Sequence, residues 1–395
     1  MPRWTTWLRL AGVLALSPFA VEAFLRVFLG FPAPHVWIPD LDMRREVRDL
    51  LDSGATKTYA FKTNSFGLRG RPARSREEAV LFLGSSTTEC EGISNDSTWP
   101  EIAVAAMGKR PGKNRVCLNA GRSGMKAPHN ILHFREVAGQ LASAGIALER
   151  MVLMPGAIDL QSFLSEPEPD APYASLDGPQ RDALLGEAFP GLGRFETGAP
   201  VFKRNLTWLY LSRLRQQLFP EKKDGSKSLD HFQKQRIRKA SRQVALPAAK
   251  ADAFAAFLEG YADDLREIAA EGAWRGIPVT LVSQPIARAE ADSGILNSGI
   301  LDAKWNAVTR ELLDGGRVSF LRQDEYAGML AQVNAVTGRV ARECARCAFY
   351  DLAAEFPAGP GLFFDTFHFT ESGCGVAGAL IGRNLAEPHR DGAGD

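Results

Sequence analysis

The stretch AVLFLGSSTT, residues 79–88, places four hydroxyl-bearing residues directly after an apolar run and a glycine. Five apolar residues that end at a glycine are typical of a buried strand followed by a turn. A serine on such a turn exposes its hydroxyl and aims its backbone N–H at the same point, which suits a nucleophile that also needs oxyanion stabilisation. A helix N-cap favours the same residue types, so the stretch alone leaves plain capping equally open.

Similar apolar runs recur along the chain, and helical patterns lie between them. The runs are at 115–118, 151–154, 277–283 and 348–352, and the helical patterns are at 127–143, 250–271 and 298–313. Strands that alternate with helices indicate βαβ units and a parallel sheet, here of about five strands. Folds of this kind place their sites at the carboxyl ends of the strands, which is where residues 84–88 are predicted to lie.

The composition excludes several classes of protein. Of the 395 residues, 45% are hydrophobic and 24% are charged, a balance typical of globular proteins. Lysine and arginine total 47 against 46 acidic residues, which argues against binding of nucleic acid by bulk charge. A mean hydropathy of -0.15 argues against a multi-span membrane protein. Five cysteines, an odd number, exclude a dense disulfide scaffold.

The N-terminus carries an export pattern. Arg3 and Arg9 precede an uncharged run at 10–21, which has the length of a signal-peptide core. A longer helix that spans the membrane is also consistent, because Glu22 and Arg26 are spaced to pair with each other. We favour an uncleaved anchor, with a cleaved signal or a buried helix of a soluble protein as alternatives. The anchor predicts a single-pass inner-membrane protein whose body lies in the oxidising periplasm.

The chain divides into segments by composition. We assign residues 1–30 to the anchor or signal, 31–75 to a lead-in segment and 76–390 to the main domain. An insertion at about 161–250 interrupts the alternation of strands and helices. Its stretch from 203 to 242 holds twelve Lys and Arg residues against three acidic ones. This stretch is either a solvated face or a surface for anionic polymers or lipid head groups.

Further polar residues follow the other predicted strands. Asp365 and His368 are spaced so that the carboxylate can reach the imidazole, fix its tautomer and support its charged form. The same spacing would also be found if the aspartate and the histidine were unrelated surface residues. Gly121, within NAGRSG at 119–124, leaves its N–H open to an oxyanion, although turn chemistry alone explains a glycine there. PGAID at 155–159 follows the third strand.

The order of these four elements resembles the SGNH/GDSL hydrolase superfamily. Ser86 matches the nucleophile of that family, Gly121 the glycine of its second block, and Asp365 and His368 its D-x-x-H block. The lead-in element TNSFGLRG, residues 63–70, looks like the one found in membrane-anchored bacterial members. The resemblance covers roughly residues 60–160 and 250–385 and leaves the insertion outside it.

The resemblance implies a three-layer, flavodoxin-like α/β fold and a serine esterase or acyl hydrolase. Ser86 would attack the acyl carbon, His368 would act as base, Asp365 would orient His368, and the N–H groups of Ser86 and Gly121 would hold the oxyanion. No cofactor or metal is implied. The expected substrate is a small-molecule or glycan acyl ester, for example an acetyl group on a cell-envelope glycan. An O-acetyltransferase with the same triad and a non-catalytic binding or assembly module remain as alternatives.

Two positions depart from the family pattern. Ser85 replaces the aspartate of the first block, whose side chain is not the nucleophile. Ile158 stands where the family has an asparagine that donates to the oxyanion, and one such donor contributes about 10²–10³ in rate.

Two other site types are less consistent with the sequence. A G-x-S-x-G elbow around Ser123 fails at Met125, the position of its last glycine. A zinc site at Cys344 and Cys347 lacks a second ligand pair, which leaves a disulfide or a redox use open for these two residues.

Overall fold

The computed structural model describes residues 35–48, 56–74, 77–108, 114–166, 171–189, 242–287, 299, 301, 319–359 and 361–386. The predicted anchor, the basic stretch up to residue 241 and nearly all of the predicted helix at 298–313 lie outside these ranges. Within them, no helix has both the length and the apolar composition needed to cross a membrane.

Strands and helices alternate along most of the described chain. They run in the order β1 (Asp42–Arg48), β2 (Thr56–Lys62), β3 (Glu78–Gly84), α1 (Ser86–Glu89), α2 (Trp99–Ala106), β4 (Arg115–Asn119), α3 (Ala127–Ser143), β5 (Ala147–Met154), α4 (Ala157–Ser165), α5 (Gly178–Ala188), β6 (Arg242–Val244), α6 (Ala248–Arg275), β7 (Val279–Val282), β8 (Ser319–Leu321), α7 (Gln323–Glu343), β9 (Cys347–Tyr350), α8 (Leu352–Glu355) and α9 (Glu371–Ala386).

The central sheet has five parallel strands in the order β4-β3-β5-β7-β9. Each of the five apolar runs in the sequence overlaps one of these strands, so the predicted parallel sheet is confirmed. Counted along the chain, the order is 2-1-3-4-5, which is the flavodoxin-like arrangement. Two small sheets lie outside it: β1 pairs with β2 in antiparallel fashion, and β6 pairs with β8 in parallel.

Helices cover both faces of the central sheet, which confirms the three layers. Leu81 and Leu83 point into a core built with α3, α6 and α7. Val80 and Phe82, which alternate with them, point into a second core built with α2 and α9. Because both faces of β3 are buried, this strand is apolar at every position from 79 to 83 rather than at every second one.

The fold brings one end of the predicted insertion into the core. The α5 helix packs against α3, and Ala188 at its end belongs to the main core. His133 on α3 is buried there, and its Nε2 lies 2.8 Å from the carbonyl oxygen of Ala188. Since a carbonyl can only accept, Nε2 carries the proton. Burial lowers the pKa of His133 to about 3, so this side chain is neutral in the folded protein.

We expect acid to destabilise the protein through His133. Its folded pKa of about 3 lies below the value of about 6.5 expected when unfolded, so the unfolded state binds the proton first as pH falls. The contribution of His133 to the free energy of unfolding is therefore fully present above about pH 6.5. Below that pH it falls by about 1.4 kcal/mol per pH unit, which amounts to about 2 kcal/mol at pH 5.

The variant His133→Phe isolates this effect. It should be less stable at pH 8, because the carbonyl of Ala188 loses its donor, yet it should lose less stability between pH 8 and pH 5 than the parent. Urea unfolding at pH 8, 6.5 and 5 measures both quantities. Equal losses on acidification in the two proteins would contradict the assignment.

Candidate active site

The carboxyl end of β3 and the turn before α9 meet at the edge of the sheet where the parallel strands end. His368 Nε2 lies 2.6 Å from Ser86 Oγ, and His368 Nδ1 lies 2.6 Å from Asp365 Oδ2. Asp365 is buried, while Ser86 and His368 are half-buried. The structure therefore brings together the three side chains that the sequence analysis singled out, in the order serine, histidine, aspartate. In this arrangement the serine hydroxyl can pass a proton to Nε2 while Nδ1–H donates to the carboxylate.

The local conformation of the D-x-x-H turn explains its spacing. Asp365 Oδ1 accepts hydrogen bonds from the backbone N–H groups of Phe367 at 3.0 Å and His368 at 2.8 Å. The carboxylate thus closes a turn on its own backbone and leaves Oδ2 for the imidazole. The ring of Phe364 stacks on that of His368 with centroids 5.3 Å apart and planes 8° apart, which further restricts the imidazole.

A buried amide pair holds the same turn from the protein interior. Asn334 on α7 accepts from the N–H of Gln284 at 2.9 Å and donates to its carbonyl at 3.0 Å. The side chain of Gln284 donates to the carbonyl of Phe367 at 3.4 Å, and the N–H of Ala287 donates to the carbonyl of Thr366 at 2.8 Å. The segment after β7 is therefore a support for the histidine. The sequence analysis did not identify it.

The Ser86 turn requires a glycine before it. Gly84 has φ of +148°, and a Cβ there would lie 3.0 Å from the carbonyl oxygen of Met154 and collide with the hydroxyl of Thr88. Within the described part of the chain, the N–H of Ser86 has no hydrogen-bond acceptor. It is the first N–H of α1 and is available to an oxyanion formed at Ser86.

Gly121 does not have the open N–H that the sequence predicted. Its N–H donates to Asn119 Oδ1 at 2.8 Å, because an asparagine side chain readily bonds the backbone two residues on. Asn119 Nδ2 donates in turn to the carbonyl of Thr88 at 2.7 Å. Gly121 serves a steric purpose instead: a Cβ there would lie 2.6 Å from the carbonyl carbon of Thr88 and closer still to the nitrogen of Glu89.

The segment PGAID, residues 155–159, has a structural role. Ile158, half-buried in the first turn of α4, has no side-chain donor to offer. Asp159 is buried and accepts from the N–H groups of Ala127 at 2.7 Å and Gly156 at 3.0 Å, so it joins the beginnings of α3 and α4. Burial raises the pKa of Asp159.

The lead-in segment supports the turn that carries Ser86. Arg69 pairs through its backbone with Asn119, at 2.8 and 3.1 Å. Its buried guanidinium donates to the carbonyls of Glu89, Cys90 and Ile93, the residues that follow Ser86. Arginine can satisfy several acceptors from one planar group, which allows its charge to be buried here.

The competing serine lies in a different setting. Ser123 donates to Glu89 Oε2 from both its N–H and its hydroxyl, each at 2.6 Å, and burial raises the pKa of Glu89. Among the described residues, no histidine forms a hydrogen bond with Ser123. Cys344 and Cys347 form a disulfide, which answers the question that the sequence left open for that pair.

The chain matches no protein-family model and no curated protein. Among solved structures, it is similar to a protein from Desulfitobacterium hafniense DCB-2 described as lipolytic and of the G-D-S-L family, at 9% identity over 78% of this chain and 99% of that one, with a TM-score of 0.37. It is also similar to the acetylxylan esterase Axe2 of Geobacillus stearothermophilus, at 13% identity over 80% of this chain and 96% of that one, with a TM-score of 0.36.

A third similar structure is the α/β hydrolase LAE5 from the metagenome of Lake Arreo, at 13% identity over 80% of this chain and 99% of that one, with a TM-score of 0.35. With TM-scores this low, these likenesses decide neither the fold nor the activity.

The steric role of Gly121 predicts the effect of one methyl group. Gly121→Ala should lower the free energy of unfolding by about 1–3 kcal/mol, because backbone atoms of α1 must move to admit the Cβ. Gly139→Ala is a matched control, since no atom lies within 4 Å of its Cβ position on α3. That change should be neutral or stabilising by up to about 1 kcal/mol. Denaturant unfolding of both variants tests the contrast, and equal stabilities would refute it.

Proposed function

We propose that this chain is a serine esterase of the SGNH/GDSL type, which cleaves acyl esters through Ser86, His368 and Asp365. The observation that supports the proposal most strongly is the continuous chain of two 2.6 Å contacts from Ser86 Oγ through the imidazole to Asp365. Nucleophile, base and orienting carboxylate at hydrogen-bond distance are the arrangement that acyl transfer to a serine requires.

The proposed reaction proceeds by proton transfers between Ser86, His368 and the leaving group. Nε2 of His368 takes the proton of Ser86 as Oγ attacks the acyl carbon, and Asp365 stabilises the imidazolium that forms. The N–H of Ser86 donates to the oxyanion. The imidazolium then protonates the leaving alkoxide, which gives an acyl-serine. A water activated by the same imidazole releases the acid, whereas a sugar hydroxyl in its place would make the enzyme an O-acetyltransferase.

We further propose that the acyl group is an acetyl ester on a glycan of the cell envelope. The support is the resemblance of residues 63–70 to the lead-in of membrane-anchored bacterial members and the export pattern around Arg3 and Arg9. In its more general form, the proposal is that the substrate is an acyl ester of a small molecule or a glycan.

A second candidate function is a non-catalytic binding or assembly module. The observation in its favour is the incomplete oxyanion site. The N–H of Gly121 is engaged by Asn119, and Ile158 cannot donate. Each missing donor lowers the rate by about 10²–10³, so the triad alone does not guarantee turnover.

A fluorophosphonate separates the two candidates. We expect it to label Ser86, and Ser86→Ala should abolish the label and lower kcat/KM on a p-nitrophenyl acetate substrate by at least about 10³-fold. Ser123→Ala is the control and should retain both label and turnover. Mass spectrometry of the adduct identifies which serine carries the label. Labelling at Ser123 refutes the triad, and no label with no turnover supports the non-catalytic module.

We also propose that the body lies outside the cytoplasm, tethered by the N-terminal helix. A phosphatase that requires export, fused after residue 60, should be active and should pellet with membranes. The same fusion without residues 1–30 should be inactive. Activity in the soluble periplasmic fraction would contradict the tether alone, and an inactive full-length fusion would contradict export.

A further inference from the structure

We propose that Cys90 and Cys374 form a disulfide that links the segment carrying Ser86 to the segment carrying His368. Their Sγ atoms are 3.7 Å apart, although the residues are separated by 284 positions in the chain. Both residues are buried, with 5% and 0% of their surfaces exposed. A disulfide needs the two sulfur atoms to approach by about 1.7 Å more, to the usual bond length.

The two cysteines occupy corresponding places on either side of the site. Cys90 ends α1 in the left-handed conformation, with φ of 56°, four residues after Ser86. Cys374 lies in the first turn of α9, where its N–H donates to the carbonyl of Thr370 at 2.8 Å, six residues after His368. The link would therefore restrain both segments close to the reacting side chains.

The surroundings of the pair suit a cross-link within the core. Both cysteines belong to the cluster under α2 and α9, where Trp99 donates from its indole to the carbonyl of Thr87 at 2.9 Å. The guanidinium of Arg69 donates to the carbonyl of Cys90 at 2.9 Å and so holds the backbone of this residue in place.

Bond formation belongs to the folding of the chain. Burial raises the pKa of the Cys374 thiol, so its thiolate is scarce once the core has closed. During folding, a thiolate of Cys90 attacks one sulfur of an external disulfide, such as glutathione disulfide, and expels one thiolate. Cys374 then attacks the sulfur of Cys90 in this mixed disulfide and expels the second thiolate. Two protein thiols are oxidised, one external disulfide is reduced to two thiols, and the protein loses two protons.

The three remaining cysteines have other partners. Cys344 and Cys347 are already bonded to each other. Cys117 on β4 is buried, and its thiol forms a hydrogen bond with Glu101. Two disulfides and one free thiol account for the odd number of cysteines, and the free one is Cys117.

The test uses the full chain with Cys344→Ser and Cys347→Ser, so that the pair under study is the only one able to respond to reductant. Reduced, unfolded protein is refolded in detergent with a glutathione redox buffer, alkylated in denaturant and digested without reduction. We expect a peptide that contains the bond between Cys90 and Cys374, and an unfolding midpoint about 5 °C or more above that of the reduced form. Alkylation of both thiols, or a bond from either of them to Cys117, would overturn the proposal.

Two further variants serve as matched controls. Cys374→Ser should remove the cross-linked peptide and the dependence of the midpoint on reductant, whereas Cys117→Ser should keep both. The peptide map does not depend on the proposed esterase activity. Fluorophosphonate labelling of the oxidised and reduced forms reports that activity separately. A mapped bond with no label refutes only the esterase, and a label without the bond refutes only the cross-link.

Discussion

The geometry of the site depends on how closely the loop after β4 approaches the end of α1. Gly121 packs directly on the backbone at Thr88 and Glu89, where no side chain fits. Asn119 fixes this approach by using both ends of its amide, one on the carbonyl of Thr88 and one on the N–H of Gly121. Ser86 begins the same short helix. Its position relative to His368 therefore depends on contacts made by the backbone and by one amide, which tolerate little displacement.

Buried polar groups supply most of the remaining rigidity. The guanidinium of Arg69 donates to three backbone carbonyls after Ser86. The amides of Asn334 and Gln284 hold the turn that carries His368. Each of these groups would destabilise the core if it lacked partners, so the folded state must form all of its bonds together. The serine and histidine sides of the site are supported independently, one by the lead-in segment and the other by α7.

The sequence was most informative where structure is local. The five strands could be predicted because a strand buried on both faces is continuously apolar. The D-x-x-H turn could be predicted because Asp365 bonds to the backbone only two and three residues away. Whether the N–H of Gly121 is free or hydrogen-bonded could not be predicted, since this depends on the side-chain conformation of Asn119. Asn334 and Gln284 escaped prediction because they are separated by 50 residues and no spacing rule joins them.

The two halves of the site come from opposite ends of the chain, since Ser86 and His368 are 282 residues apart. A chain that ends before Asp365 contains all five strands of the central sheet and Ser86, but it lacks the base of the proposed mechanism. The turn that carries His368, and α9, which packs on α2, are made only after all five strands of the central sheet. In the proposed mechanism, the hydroxyl of Ser86 therefore stays unactivated during synthesis until the segment that carries His368 has been added.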